Sequence, residues 1–361
     1  MRVLERASLF LLLLAIGANA NAASKNACSR VQLTHRPAVA NSGAWTANGE
    51  LLIADALEKV LLLYGKSGKA LGTIPEPIGS TLKTFYPQGV RSRQGRLFLE
   101  TQGGGLMVLG RDYVPQISKV VHAKSSRLEM KGKSIEGMFL WEPVGDDIIS
   151  FSDLKDPQGP WTSGFVRFPA DRPQDFTVLK SQPYNASSRI FYRLAQPYIA
   201  SLGNTGYVLM MDKQMQIAKE TKGKLEPIHA FPEGLNRRAP SLPEFFTFDD
   251  LVPVMSSVER STMPTGLYGW EGSLFVLWRK VEGRTSRWNL TKIDPQADRV
   301  VGTVSIATSA SHLSVVPGPD SWAFIEKGPV RALGVQDIGT LLLVPSERLR
   351  VAFKNGSDLC Q

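Results

Sequence analysis

Apolar and polar residues alternate in short runs along most of the chain, and turn-forming residues cut the runs apart. Residues 48–74, NGELLIADALEKVLLLYGKSGKALGTI, show this best. Asn48-Gly49 turns the chain into the apolar run 51–54, and Asp55 to Glu58 break it. A second run, 60–64, leads to a turn between Gly65 and Gly68, and a third run occupies 70–74. Short apolar runs bounded by Gly, Asn and Asp are strands of an antiparallel meander. One meander alone leaves a face uncovered, so it needs neighbours.

The same grammar recurs. Residues 42–46 supply an innermost strand for the first unit. Further strands are expected at 89–92, 96–101, 106–109 and 116–121; at 138–144, 147–151, 165–168 and 176–179; and at 198–202, 207–211, 214–218 and 224–231. Two more sets fall at 266–270, 273–278, 288–293 and 300–306, and at 312–316, 322–326, 330–333 and 340–344. The turn ahead of each second strand lies at Gly49, Gly95, Asp146, Gly206, Gly272 and Asp320. These turns are roughly 50 residues apart, a spacing compatible with propeller blades. The predicted fold is all-β: a six-bladed β-propeller of four-stranded antiparallel blades, one domain over residues 23–361, with a long insertion at about 232–264. A strand at 31–34 would complete the last blade and remove a sheet edge. A β-sandwich or two β domains would accommodate the same strands. No long amphipathic helix stands out.

The first residues change the picture of where the chain works. Arg2 and Arg6 flank the start of an apolar run, 8–18, too short to span a bilayer comfortably. Ala18-Asn19-Ala20 and Ala20-Asn21-Ala22 fit cleavage sites, so residues 1–22 are expected to be a cleaved export signal. The protein is then secreted or periplasmic. In an exported chain two cysteines usually pair, and Cys28 and Cys360 would tie the two ends of the ring together. The net charge is +9, spread along the sequence without a block. That charge favours an anionic partner such as an envelope polymer, lipid headgroups or an acidic protein. Export and the lack of a recognised motif argue against nucleic acid. The protein is expected to be a monomer. Asn185, Asn289 and Asn355 each begin a glycosylation sequon.

The pattern Trp45-x-x-Asn48-Gly49-Glu50-Leu51-Leu52-Ile53-Ala54-Asp55, followed by Lys59-Val60-Leu61 and Gly68-Lys69, resembles a blade of NHL-repeat and gluconolactonase-type six-bladed propellers. The resemblance is clearest over residues 45–74. It implies the fold. For the gluconolactonase type it also implies a divalent metal in the central channel, whose first ligand is the Glu of a Glu-Gly-Pro-x-Trp motif. The nearest match here is Asn41-Ser42-Gly43-Ala44-Trp45, with Asn41 in the Glu position. An amide oxygen can ligate Ca²⁺ but brings no charge and cannot act as a base.

Acids recur near the end of each second strand: Asp55, Glu100, Asp153, Asp212 and Glu326, with Arg279 in the fifth unit. They are either turn acids that accept backbone N–H bonds or a ring of carboxylates available to a cation. His35, His122, His229 and His312 share no strand face, and neither H-E-x-x-H nor G-x-S-x-G occurs. Gly103-Gly104-Gly105 lies between strands and reads as a turn. The insertion carries Arg237, Arg238, Phe245, Phe246 and Phe248. These residues form a recognition arm for an anion or a partner, or else decorate the neighbouring blade. Trp141, Trp161, Trp270, Trp278, Trp288 and Trp322 are expected in blade-to-blade packing.

Two functional readings follow. One is a non-catalytic binding propeller for a partner protein or an anionic ligand, with no cofactor. The other is a Ca²⁺-dependent hydrolase or lactonase that uses Asn41 with Asp55, Glu100, Asp153 and Asp212. A quinone-dependent sugar dehydrogenase rests on fold analogy alone.

Overall fold

A computed structural model describes residues 27–360 apart from 38–39, 75–86, 102–104, 111–112, 114, 122, 125–131, 158, 184–196, 212–213, 239–260, 283–284 and 331–335. The chain starts with β1 (Ser29–Gln32). The first sheet is then β2 (Ala40–Trp45), β3 (Leu51–Asp55), β4 (Val60–Tyr64) and β5 (Ala70–Ile74). The second is β6 (Pro87–Arg93), β7 (Arg96–Thr101), β8 (Gly105–Leu109) and β9 (Pro115–Val120). The third has five strands: β10 (Ala123–Lys124), β11 (Ser134–Val144), β12 (Asp147–Lys155), β13 (Thr162–Pro169) and β14 (Thr177–Pro183). The fourth is β15 (Tyr198–Leu202), β16 (Thr205–Met211), β17 (Met215–Thr221) and β18 (Lys224–Pro227). The fifth is β19 (Met263–Trp270), β20 (Ser273–Glu282), β21 (Thr285–Asp294) and β22 (Arg299–Ile306). The sixth is β23 (His312–Val316), β24 (Ser321–Val330) and β25 (Gln336–Pro345), with β1 as its outermost strand.

The first long strand of each sheet touches its counterparts on either side. β2 meets β6 and β23, β11 meets β6 and β15, and β19 meets β15 and β23. The six sheets therefore stand in a closed ring, a six-bladed β-propeller. β1 zips antiparallel onto β25, from Ser29 opposite Leu343 to Gln32 opposite Thr340. Closing the ring with a strand from the other end of the chain leaves no gap between first and last blades. The Cys28–Cys360 disulfide holds the same junction, with 5.4 Å between Cα atoms.

Apolar faces of neighbouring blades meet to form the core. Leu51, Ile53 and Tyr64 of the first blade pack with Ala323, Ile325 and Leu341 of the sixth. Phe275 and Leu277 of the fifth pack with Trp322, Phe324 and Leu342 of the sixth. There Trp322 stands edge-on to Phe275 at 5.0 Å and to Trp270 at 5.6 Å, a favoured aromatic geometry. Trp141, Trp278, Trp288 and Trp322 are buried in this way, whereas Trp161 is exposed beside Lys155.

Three details differ from the sequence expectation. In the last blade β24 runs on to Val330 and β25 starts at Gln336, with β1 as the outermost strand, while residues 331–333 of the expected third strand lie outside the described residues. The outer strand of the fourth blade stops at Pro227, since Ala230 and Phe231 turn inward and join the core. A helix, α1 (Ser346–Asn355), follows the last blade and ends at Gly356, whose φ of 64° closes it. α1 buries only Ser346, Leu349 and Ala352, too few positions to show as a helical period. It brings Leu359 alongside Ile306 of β22, so the tail clasps the fifth blade while its disulfide reaches the sixth. Asn289 is buried in β21, out of reach of glycosylation, whereas Asn355 is exposed at the end of α1. Among the described residues, no helix is long and apolar enough to cross a membrane.

Candidate functional site: the central channel

The innermost strands carry the side chains that line the axis of a propeller. Here they enclose a channel of about 890 Å³, a size that accommodates a small ligand. The turns between first and second strands gather at one mouth, where Arg96 of the second blade pairs with Asp146 of the third and Lys66 pairs with Asp320. At this turn mouth Arg93 reaches past the third blade to donate to the Gly203 carbonyl in the fourth.

Above the turns, Arg91 Nε donates to Glu142 at 3.2 Å, and Ser201 Oγ donates to the same carboxylate at 3.3 Å. Desolvation raises the Glu142 carboxyl, and the charges of Arg91 and Arg93 oppose the shift. Tyr268 faces this group across the channel. Burial pushes its phenol up to about 12, and the Glu142 charge adds to the shift. Burial likewise raises Tyr198, next to Tyr268 and Arg279.

The opposite mouth is different. Arg279, at the far part of β20, donates to the Ser311 carbonyl at 3.3 Å. The Ser311 N–H donates to the Lys327 carbonyl at 3.1 Å, and Lys327 lies directly across the ladder from His312. Arg279 and Lys327 are both more than nine-tenths buried, and all three side chains line the channel. Among the described residues, the lining holds four cationic side chains, Arg91, Arg93, Arg279 and Lys327, against one carboxylate, Glu142.

Among the described residues, the strand-end acids Asp55, Glu100, Asp153 and Glu326 do not join this lining. Asp55 is fully buried, and its Oδ1 accepts the backbone N–H groups of Leu57 and Glu58 at 3.0 and 3.2 Å, a turn-stabilising role. Glu100 accepts the Trp141 indole N–H at 2.6 Å behind the channel wall. Asp153 accepts from Ser163 Oγ at 2.8 Å. Glu326 accepts from Thr308 and Arg30, which fastens β1 to the last blade. Among the described residues, no three His, Cys, Asp or Glu side chains come together around a point that a metal ion could occupy. Asn41 lies on the inner strand β2, and Asp212 lies outside the described residues.

In the insertion, Arg237 donates to the His229 carbonyl at 2.7 Å, with its guanidinium 5.0 Å from the Phe231 ring. Arg238 bridges backbone to backbone with Gln214 and is exposed. Phe245, Phe246 and Phe248 lie outside the described residues. The channel residues Arg91, Glu142, Tyr198, Tyr268 and Lys327 were not singled out from sequence. The available signal was a lone charge inside a predicted innermost strand, as in Gly89-Val90-Arg91 and Leu140-Trp141-Glu142.

No protein family and no curated protein matches this sequence. Solved structures do resemble the fold. A member of the DUF4221 family from Bacteroides vulgatus matches with a TM-score of 0.51 at 7% identity, covering 88% of this chain and 99% of that one. A gluconolactonase from Xanthomonas campestris gives 0.48 at 14% identity, covering 88% and 90%. A calcium-binding regucalcin from Agrobacterium tumefaciens gives 0.47 at 12%, covering 88% and 93%. At these identities the likeness is one of fold alone.

Proposed function

We propose that this chain is an exported, non-catalytic binding propeller whose channel holds an anionic ligand. The charge balance of the lining carries this reading: among the described residues four cations face one carboxylate, and that carboxylate is paired with Arg91 near the turn mouth. The opposite mouth places the buried Arg279 and Lys327 beside His312 in a partly desolvated setting, where attraction to an anion is stronger than in water. The basic n-region and apolar run of residues 1–22 support export, as does a disulfide, a bond that persists in oxidising compartments.

A melt in phosphate against chloride at matched ionic strength tests the proposal. A ligand at a hundred times its dissociation constant adds about 2.7 kcal/mol to stability. Phosphate should raise the melting temperature of the natural protein and raise that of Lys327→Met less. The variant separates site binding from the general stabilising effect of such ions. Equal responses in the two proteins would overturn the placement of the anion at this mouth.

A further inference from the structure

Lys327 stands apart from the other cations of the channel. It is 8% exposed, lines the cavity, and its Nζ makes no hydrogen bond or ion pair among the described residues. The ladder between β24 and β25 slips on both sides of it, between Glu326 and Lys327 and again between Lys327 and Val330. Irregularities of this kind re-aim a side chain away from simple alternation. The groups packed around it do not neutralise it. His312 is directly opposite on the ladder, and Ser311, whose carbonyl accepts from Arg279, donates its N–H to the Lys327 backbone carbonyl. The neighbouring Glu326 is occupied by Thr308 and Arg30.

We propose that Lys327 is a nucleophile that forms an imine with a small aldehyde or ketone carrying a carboxylate or phosphate, with Arg279 holding the anionic group. The inference rests on the anion-binding reading of the channel and names the ligand class. A lysine acts as a nucleophile only as the neutral amine, and desolvation favours that form. Burial lowers the Lys327 ammonium to about 8, so a usable fraction is neutral near physiological pH. In the reaction the Nζ lone pair attacks the carbonyl carbon. The carbonyl oxygen takes up the two amine hydrogens and leaves as water, and a C=N bond replaces C=O. No oxidant or reductant is required.

The test is labelling of the full-length oxidised protein with limiting pyridoxal phosphate, then borohydride reduction and peptide mapping, with unphosphorylated pyridoxal in parallel. Lys327 should be the first lysine modified. The phosphorylated aldehyde should label it at least about tenfold faster, the scale of one charge-assisted contact, and inorganic phosphate should slow that labelling. Lys327→Met should lose the adduct, and Arg279→Lys should reduce the preference for the phosphorylated reagent. Label confined to exposed lysines would overturn the nucleophile. If phosphate still stabilised the natural protein over Lys327→Met, the anion reading would stand without it. Equal labelling of Lys327 by both aldehydes would overturn the anionic ligand class and leave a reactive lysine.

Discussion

Trp141 donates its indole N–H to Glu100 at 2.6 Å, joining the third blade to the second behind the channel wall. Burial pushes the Glu100 carboxyl up to about 7, against the pull of the Trp141 donor and the Arg91 charge. The folded protein therefore holds a proton that the unfolded chain releases near the ordinary glutamate value of 4.5. Stability from this group is full below that ordinary value and is lost as pH rises through the folded one, by roughly 3 kcal/mol at most. Urea midpoints should fall as pH rises through this window. Glu100→Gln keeps an acceptor for Trp141 and should flatten the fall. The same slope in both proteins would place the titration elsewhere.

Cys28 and Cys360 are 332 positions apart, and their bond restricts the unfolded chain more than the folded ring. Loop entropy sets an upper limit of roughly 5 kcal/mol on its contribution. Replacing both cysteines with serine should lower the melting temperature clearly. The circular dichroism of the folded protein should stay unchanged, because β1 keeps its pairing with β25. A variant that melted like the natural protein would show that β1 and the clasped tail hold the ring without the bond.

Gly269 lets the inner strands of the fourth and fifth blades approach closely. A Cβ there would run into the backbone carbonyl oxygen of Ser201, which cannot swing aside as a side-chain end could. Gly269→Ala should cost about 1–3 kcal/mol, the usual range for overpacking. Gly272→Ala is a poor control, because its φ of 72° adds backbone strain. Gly72→Ala, with open space at its Cβ and no positive φ, is the suitable one.

The fold was legible because each blade repeats a local rule. The runs at 51–54, 60–64 and 70–74 correspond to β3, β4 and β5 within one residue. The closing strand was legible from the position of Cys28. The site was much less so. Alternation separates the two faces of a strand but does not say which positions reach the axis, so Arg91 and Glu142 carried no mark beyond their charge. The acids at the strand ends drew attention because they recur, yet Asp55 and Glu100 recur for turn and seam contacts. Arg279 and Lys327 interrupt or adjoin that acidic pattern, and they turn toward the channel where Asp55, Glu100 and Asp153 do not. Burial and strand slippage decide this, and neither is encoded in a short window of sequence.

Ca²⁺ separates the two functional readings most directly. Asp55, Glu100 and Asp153 each accept hydrogen bonds from the chain itself, and a cation recruiting them would have to break those bonds. The melting temperature of the oxidised protein should therefore be the same in EDTA and in excess Ca²⁺. A native-state Ca²⁺ site saturated a hundredfold would instead raise stability by about 2.7 kcal/mol, a shift easily measured. Should that rise occur, Asn41→Ala and Asp55→Asn would be the variants to compare. Its loss in Asn41→Ala would point to an ion at the inner strand β2 and return the lactonase reading, with turnover of a lactone as the next assay, whereas loss in Asp55→Asn alone would point to the turn that Asp55 holds. Coincident melts, together with a phosphate response that depends on Lys327, would leave the anion-binding propeller as the account of this chain.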